Sequence, residues 1–289
     1  MQIAIGIIFA IIGFVCFFFL SQYICQISCK EMREEREEYE QEYIKWQGYV
    51  DKAKYRLEHP EEKEESFSIW QRIGAFLTGT KLSPTLEELN EYEWDFLEKP
   101  LQEPIYTLGK KIAIGVTGAV LFGMAGYGYG ISLQLLIMLA LYLILIFITY
   151  IDIDAQIIPP VLNLIIFLLG IPAIWLFPEV TILQRLIGSL VISIPLKVIT
   201  LFVPGGFGGG DIKLMAAAGF LLGVKATIAA FGIGLLLGGA YGIFALVTQK
   251  RGRKDHFAFG PFLCIGIAVS MYGGLGIQMV DLYLKNFMH

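Results

Sequence analysis

The sequence predicts an all-α polytopic membrane protein with about eight transmembrane helices and a small helical cytosolic domain between the first and second. Of its 289 residues, 56% are hydrophobic, and the mean hydropathy is +0.64. Soluble domains are typically only about 45–50% apolar. The charged residues crowd into residues 30–111 and are sparse elsewhere. This uneven distribution indicates one water-exposed domain and a lipid-embedded remainder.

The first predicted span covers residues 3–23, an apolar stretch long enough to cross about 30 Å of hydrocarbon as a helix. We assign residues 1–25 to it. A cleaved signal peptide is not expected, because no basic residue precedes the stretch and no small-residue cleavage site ends it. Lys30, Arg33 and Arg36 follow it. Basic residues accumulate on the cytosolic side of membrane spans, so the N-terminus is expected outside.

Residues 26–110 are predicted to form an acidic helical cytosolic domain. The first part, residues 30–59, has the pattern of a charged helix that continues the first span. An amphipathic helix is expected over residues 67–77, and Ser83-Pro84 is a typical helix start. The acidic face is most simply a solvated surface; the alternative is that it attracts a basic peptide leader.

Residues 111–289 are predicted to form a membrane domain of seven helices. A tight outer turn is expected at the glycine-rich residues 126–130. The spans are expected at residues 112–129, 132–151, 158–177, 186–203, 212–223, 226–248 and 261–283. This count leaves both termini outside and the basic residues 250–254 in the cytosol, in agreement with the positive-inside rule.

Two aspartates lie on the same predicted face of the membrane, Asp152 at the end of the third span and Asp211 at the start of the sixth. The sixth span has about 13–15 residues and reaches roughly 20–22 Å, so its Asp211 end is expected to be recessed. Two neighbouring recessed carboxyl groups are expected to share a proton near neutral pH. Such a pair activates water with one member and protonates the leaving amide with the other, which is the chemistry of aspartic peptidases.

The residues around both aspartates resemble motifs of one family. Residues 152–159 (DIDAQIIP) are similar to the first aspartate motif of type IV prepilin peptidases, in which an aspartate stands seven residues before a proline. Residues 208–214 (GGGDIKL) are similar to the GxGD motif of that family. Residues 259–262 (FGPF) resemble the segment that opens its last helix.

The resemblance implies a membrane-embedded aspartic endopeptidase of the bacterial cytoplasmic membrane, with its active site facing the cytosol. Its substrates would be type IV prepilins or pseudopilins, from which it removes a short basic leader. Asp152 and Asp211 would be the catalytic pair. Substrate-binding or supporting roles would fall to Asp154, Pro159, Gly208, Gly209, Gly210 and Lys213. Membrane lipid is the other expected partner, and nucleic acid is not one; the oligomeric state stays open.

The chain departs from the family between its first two spans. Members with two activities carry paired CxxC motifs and a GSFxNVxxxRxP-like stretch associated with N-methylation, and neither is present here. We therefore expect no zinc or other metal site and no cofactor. S-adenosylmethionine would enter only if the chain methylates. In that family an Asp or Asn often follows the Ile-Pro pair, and this chain has Pro160 at that position.

Three side chains are left with alternative interpretations. Asp154 either replaces Asp152 as catalyst, orients it, or is simply solvated; the spacing to Pro159 favours Asp152 as the catalyst. Lys213 either pairs with an aspartate or extends to the membrane interface, and the same extension is the preferred interpretation of Lys197.

Neither the histidines nor the two aspartates of the sequence predict a metal centre. The three histidines, His59, His256 and His289, are scattered, which argues against a histidine metal centre. Two carboxylates alone make a poor metal cage.

Two other functions fit an apolar chain with intramembrane carboxylates. A proton- or ion-coupled transporter would show internal repeats and polar residues near the midplane, and neither is clear. A membrane scaffold would use the acidic domain for protein contacts. Under the peptidase interpretation, residues 205–210 are expected to be the hinge and floor of a recessed cleft that moves around substrate.

Overall fold

The computed structural model describes residues 1–58, 103–202, 207–248 and 258–287. Over these residues the protein is helical and has no strand, which confirms the all-α class. The helices are α1 (Gln2–Glu58), α2 (Leu108–Tyr129), α3 (Leu133–Ala155), α4 (Pro160–Leu176), α5 (Ile182–Val191), α6 (Ser193–Phe202), α7 (Gly209–Leu222), α8 (Val224–Val247), α9 (Gly260–Met271) and α10 (Leu275–Phe287), with a 3-10 turn at Tyr272–Gly274.

The described helices have the lengths and apolar character of a multi-pass membrane protein. Six segments are long and apolar enough to cross a bilayer, while α4 and α7 are shorter. Each of the predicted spans coincides with one of these segments. The fifth consists of α5 and α6, which are separated at Ile192, and the last consists of α9 and α10, which are separated by a kink where Gly273 has a φ of 56°.

The predicted turn at residues 126–130 is wrong. Helix α2 continues through Tyr129, and the chain turns only at Gly130, whose φ is 57°. The inner glycines of this segment permit close helix packing instead. A Cβ at Gly126 would lie 2.8 Å from a ring carbon of Phe9, and one at Gly128 would lie 2.7 Å from the ring of Tyr272.

The chain divides into two compact units, Met1–Glu31 with Pro104–His289, and Met32–Glu103. Helix α1 continues unbroken to Glu58, as the charge pattern predicts. In the second unit, Arg33 Nε donates to Glu103 Oε1 at 2.7 Å on an exposed surface.

Several sequence-based predictions lie outside the described residues, and the boundaries of the 1–25, 26–110 and 111–289 domains stay predictions. The others are the helices expected near residues 67–77 and after Ser83, the glycines at 205 and 206, the basic residues 250–254, and the three histidines.

Small residues let the membrane helices approach one another closely, as is usual where lipid removes the hydrophobic driving force between helices. Helix α7 is one example of an enclosed helix, since nine of its 14 residues are buried. A Cβ at Gly219 of α7 would lie 2.1 Å from the carbonyl oxygen of Gly188 in α5. A Cβ at Gly170 of α4 would lie 2.4 Å from the ring of Phe220.

Arg185 of α5 joins the far ends of α4 and α7. Its side chain is fully buried, and its guanidinium donates to the carbonyl oxygens of Ala173 at 2.8 Å and Phe177 at 3.2 Å. It also donates to the carbonyls of Phe220 and Leu221. Carbonyls in the last turn of a helix lack intrahelical partners and carry partial negative charge, so one buried cation satisfies two helix ends.

We expect Gly219→Ala to lower the free energy of unfolding by about 1–3 kcal/mol, because the methyl group would overlap the backbone of α5. The matched control is Gly239→Ala in α8, where no atom lies within 4 Å of the added Cβ. The control should be neutral or slightly stabilising, since alanine favours helix more than glycine does. Denaturant unfolding in detergent micelles would measure both, and equal stability of the two variants would contradict the packing described.

Candidate active site

Asp152 lies in the last turn of α3 and is only 5% exposed. Its Oδ2 atom accepts a hydrogen bond of 2.9 Å from the backbone N–H of Gly260, the first residue of α9. A Cβ at Gly260 would lie 2.7 Å from the same oxygen. Only glycine therefore lets the start of α9 approach the carboxylate this closely.

Asp211 lies in the first turn of α7 and is 9% exposed. Gly208 is the N-cap residue, and a Cβ there would lie 3.1 Å from Asp211 Oδ2. Glycine at the N-cap therefore lets the carboxylate at the third helical position lie close to the N-cap backbone. The positive end of the α7 dipole favours negative charge at this position.

The structure packs a neighbour of each aspartate on the same buried side chain, that of Ile158. A Cβ at Gly260, whose N–H donates to Asp152, would lie 3.3 Å from Ile158 Cδ1. The loop after α3 contributes to this arrangement. A Cβ at Gly210 would lie 2.9 Å from the Cβ of buried Ile158, so the start of α7 packs directly on that loop. Neither aspartate forms an ion pair with another residue of the described ranges.

Cys264 is a buried neighbour of the pair that sequence reasoning missed. It lies one turn after Gly260 in α9 and is 3% exposed. Because Gly260 donates to Asp152, the thiol is one helical turn away from that contact. The i, i+4 spacing of Gly260 and Cys264 was the available signal, because it places both on one face of a helix.

Asp154 does not join the pair. Its Oδ2 atom accepts a 2.7 Å hydrogen bond from the Tyr106 hydroxyl, and its Oδ1 atom forms an ion pair with Lys110. Its side chain is 6% exposed. The hypotheses that Asp154 is solvated or takes the place of Asp152 are therefore not supported by its position.

Lys213 and Lys197 are exposed, and neither forms an ion pair with an aspartate within the part of the chain that is described. This position agrees with extension to the interface rather than pairing with an acid. Pro159 is buried and is the N-cap residue of α4.

The predicted glycine loop is shorter than expected, because Gly209 and Gly210 already belong to the first turn of α7. Gly208 is extended, with φ −65° and ψ 142°. Helix formation here places the Asp211 carboxylate close to the N-cap residue Gly208, an arrangement that a loop would not fix.

Among the described residues, no three or more His, Cys, Asp or Glu side chains converge as a metal site would require. Cys25 and Cys29 are both buried in α1, and Cys25 Sγ donates to the carbonyl oxygen of Pro104 at 3.2 Å.

Comparison with known proteins concerns the part of the chain that carries both aspartates. Residues 139–243 match the model of the type IV leader peptidase family. This part of the chain is similar to type IV leader peptidases. The resemblance predicted from the two aspartate motifs is thereby confirmed.

Two curated relatives share this similarity. The prepilin leader peptidase/N-methyltransferase of Bacillus subtilis is 38% identical over 101 residues, which are 35% of this chain and 40% of the relative. The protein of the same name from Xanthomonas campestris is 37% identical over 81 residues, 28% of this chain and 27% of the relative. The chain thus spans less than half the length of these relatives. No solved structure matches it significantly.

We expect Gly260→Ala to lower the free energy of unfolding by about 1–3 kcal/mol, because the methyl group would displace the Asp152 carboxylate from its N–H donor. In an Asp152→Ala background the same change should cost clearly less, since the carboxylate is no longer there to be displaced. A double-mutant cycle in detergent would measure this coupling. Strictly additive effects would show that the two groups are not in contact.

Proposed function

We propose that this protein is a membrane-embedded aspartic endopeptidase that removes the leader from type IV prepilins or pseudopilins. One observation carries the proposal. Asp152 and Asp211, from two different helices, are both buried inside a segment similar to type IV leader peptidases, and a glycine next to each of them in space or sequence packs on the same residue, Ile158. No cofactor is part of the proposed reaction.

The proposed chemistry uses the two carboxyl groups in complementary protonation states. The ionised member accepts a proton from a water molecule, which attacks the scissile carbonyl carbon, and the protonated member donates its proton toward the departing amide. The Gly260 N–H orients Asp152, and the first turn of α7 places Asp211 close to Gly208. Both contacts involve glycines at helix starts, so the carboxyl groups are positioned without an ion pair to a cation of the described residues.

The length of α7 supports cleavage near one membrane face. Its 14 residues reach about 21 Å, which is less than the roughly 30 Å of the hydrocarbon core, so a recessed Asp211 would meet a substrate just where its apolar helix begins. Lys110, which contacts Asp154, lies at the same end of the bundle as Asp152. Basic residues at that end support a cytosolic orientation of the site.

We expect Asp152→Asn and Asp211→Asn each to reduce leader removal by about 100-fold or more, because each deletes one half of the acid–base pair. The assay incubates purified protein in detergent with a prepilin and follows the loss of the leader by electrophoresis. The matched control is Asp281→Asn in α10, a half-exposed aspartate that pairs with Lys225. Wild-type rates for both site variants would show that the pair does not perform the reaction.

We further propose that the protein cleaves without methylating the product. This proposal is supported by the sequence between the first two spans, which lacks the CxxC pairs and the methylation-associated stretch of two-activity members. Incubation of the cleaved pilin with the protein and S-adenosylmethionine should leave the product mass unchanged. A mass increase of one methyl group at the new N-terminus would overturn the proposal.

A further inference from the structure

A second, partly buried polar cluster begins two residues after Asp152 and consists of Tyr106, Lys110 and Asp154. The Tyr106 hydroxyl donates to Asp154 Oδ2 at 2.7 Å, and Lys110 Nζ pairs with Asp154 Oδ1. Lys110 Nζ also lies 4.1 Å from the centroid of the Tyr106 ring, within the range of a cation–π contact. Each of the three side chains therefore contacts the other two.

The cluster is anchored to α1. Tyr106 is 8% exposed and follows Pro104 closely in the chain. The Cys25 thiol binds the neighbouring carbonyl of Pro104. Burial and the hydrogen bond to Asp154 raise the pKa of Tyr106, so the phenol remains a hydrogen-bond donor at physiological pH.

The C-terminal end of α3 carries negative charge that its own residues do not neutralise. Two carboxylates, Asp152 and Asp154, stand at the negative end of its dipole, and no basic residue occupies its last turn. The helix ends at Gln156 with a φ of 57°, the only positive φ of a non-glycine residue in the described ranges. Lys110 from α2 supplies the cation that α3 itself lacks.

The cluster also determines the rotation of this last turn. Residues two positions apart on a helix point about 200° apart. Asp154 accordingly faces Tyr106 and Lys110, while Asp152 faces Gly260 of α9. A rotation of the turn that released Asp154 would move the Asp152 carboxylate away from its N–H donor.

We propose that Tyr106, Lys110 and Asp154 form a positioning network that orients Asp152 through the last turn of α3. The proposal rests on the proposed peptidase function for its catalytic consequence, and its structural part is independent of it. Tyr106 and Lys110 lie outside residues 139–243, the part similar to leader peptidases, so this chain contributes the support from its own N-terminal region.

The kinetic test compares Asp154→Asn, Lys110→Met and Tyr106→Phe with wild type in the prepilin assay. We expect kcat to fall about 10- to 100-fold with KM nearly unchanged, because a small displacement of a reacting group slows chemistry more than binding. Lys110→Arg should restore much of the rate. The Asp154→Asn/Lys110→Met double variant should be no slower than the slower single variant, since both remove one interaction.

The matched controls are Asp281→Asn and Lys225→Met, which break a half-exposed ion pair elsewhere in the bundle. They should leave kcat unchanged, as exposed pairs contribute little to stability. A wild-type kcat for Asp154→Asn would overturn the proposal. A rise in KM without a fall in kcat would overturn it as well, because the network would then act in substrate binding.

A second measurement does not need activity. Hydrogen exchange, followed by mass spectrometry of a peptide containing Gly260, reports the N–H that donates to Asp152. We expect exchange at Gly260 to be about tenfold faster or more in Asp154→Asn and Lys110→Met, and unchanged in Asp281→Asn. Unchanged exchange in the two network variants would overturn the proposal even if cleavage failed in wild type. Faster exchange in a wild type that does not cleave would support the network and refute the peptidase function alone.

Discussion

The hydrogen bond from the Gly260 N–H to the Asp152 carboxylate is the interaction on which the site depends. It joins two helices whose residues are 108 positions apart in sequence. It forms only because α9 begins with a glycine, since a Cβ there would lie 2.7 Å from the accepting oxygen. Cys264 lies one turn further along α9. The hydrogen bond also requires the last turn of α3 to keep its present rotation about the helix axis.

Asp211, the second aspartate, is positioned by contacts along and at the far end of its own helix, α7. Helix α7 is short, mostly buried, and packed against α5 through Gly188 and Gly219. At its far end, Arg185 binds the carbonyls of Phe220 and Leu221. A helix attached at that end and enclosed along its length has little freedom to slide, so the depth of Asp211 follows from contacts made some 10 residues away.

The three aspartates at this end of the bundle have different surroundings, and the roles proposed for them follow from these differences. Asp152 accepts the Gly260 N–H, and neither Asp152 nor Asp211 forms an ion pair within the described residues, which suits carboxyl groups proposed to transfer protons. Asp154 is paired with Lys110 and Tyr106, which suits a structural charge. A cation next to Asp152 would instead hold it permanently ionised.

The sequence by itself determined the lengths and order of the membrane helices and the two motif aspartates, because apolar length and residue spacing are local properties. Only the tertiary structure decided that Asp154 faces Tyr106 and Lys110. It also decided that the Gly260 N–H donates to Asp152, and that Arg185 donates to carbonyl oxygens at the ends of two helices. It also made Gly209 and Gly210 helical, where the glycine run predicted a loop. These features depend on how far each helix is rotated and how closely it approaches its neighbours. Rotation and approach are set by the packing of all the helices together, and no single segment encodes them.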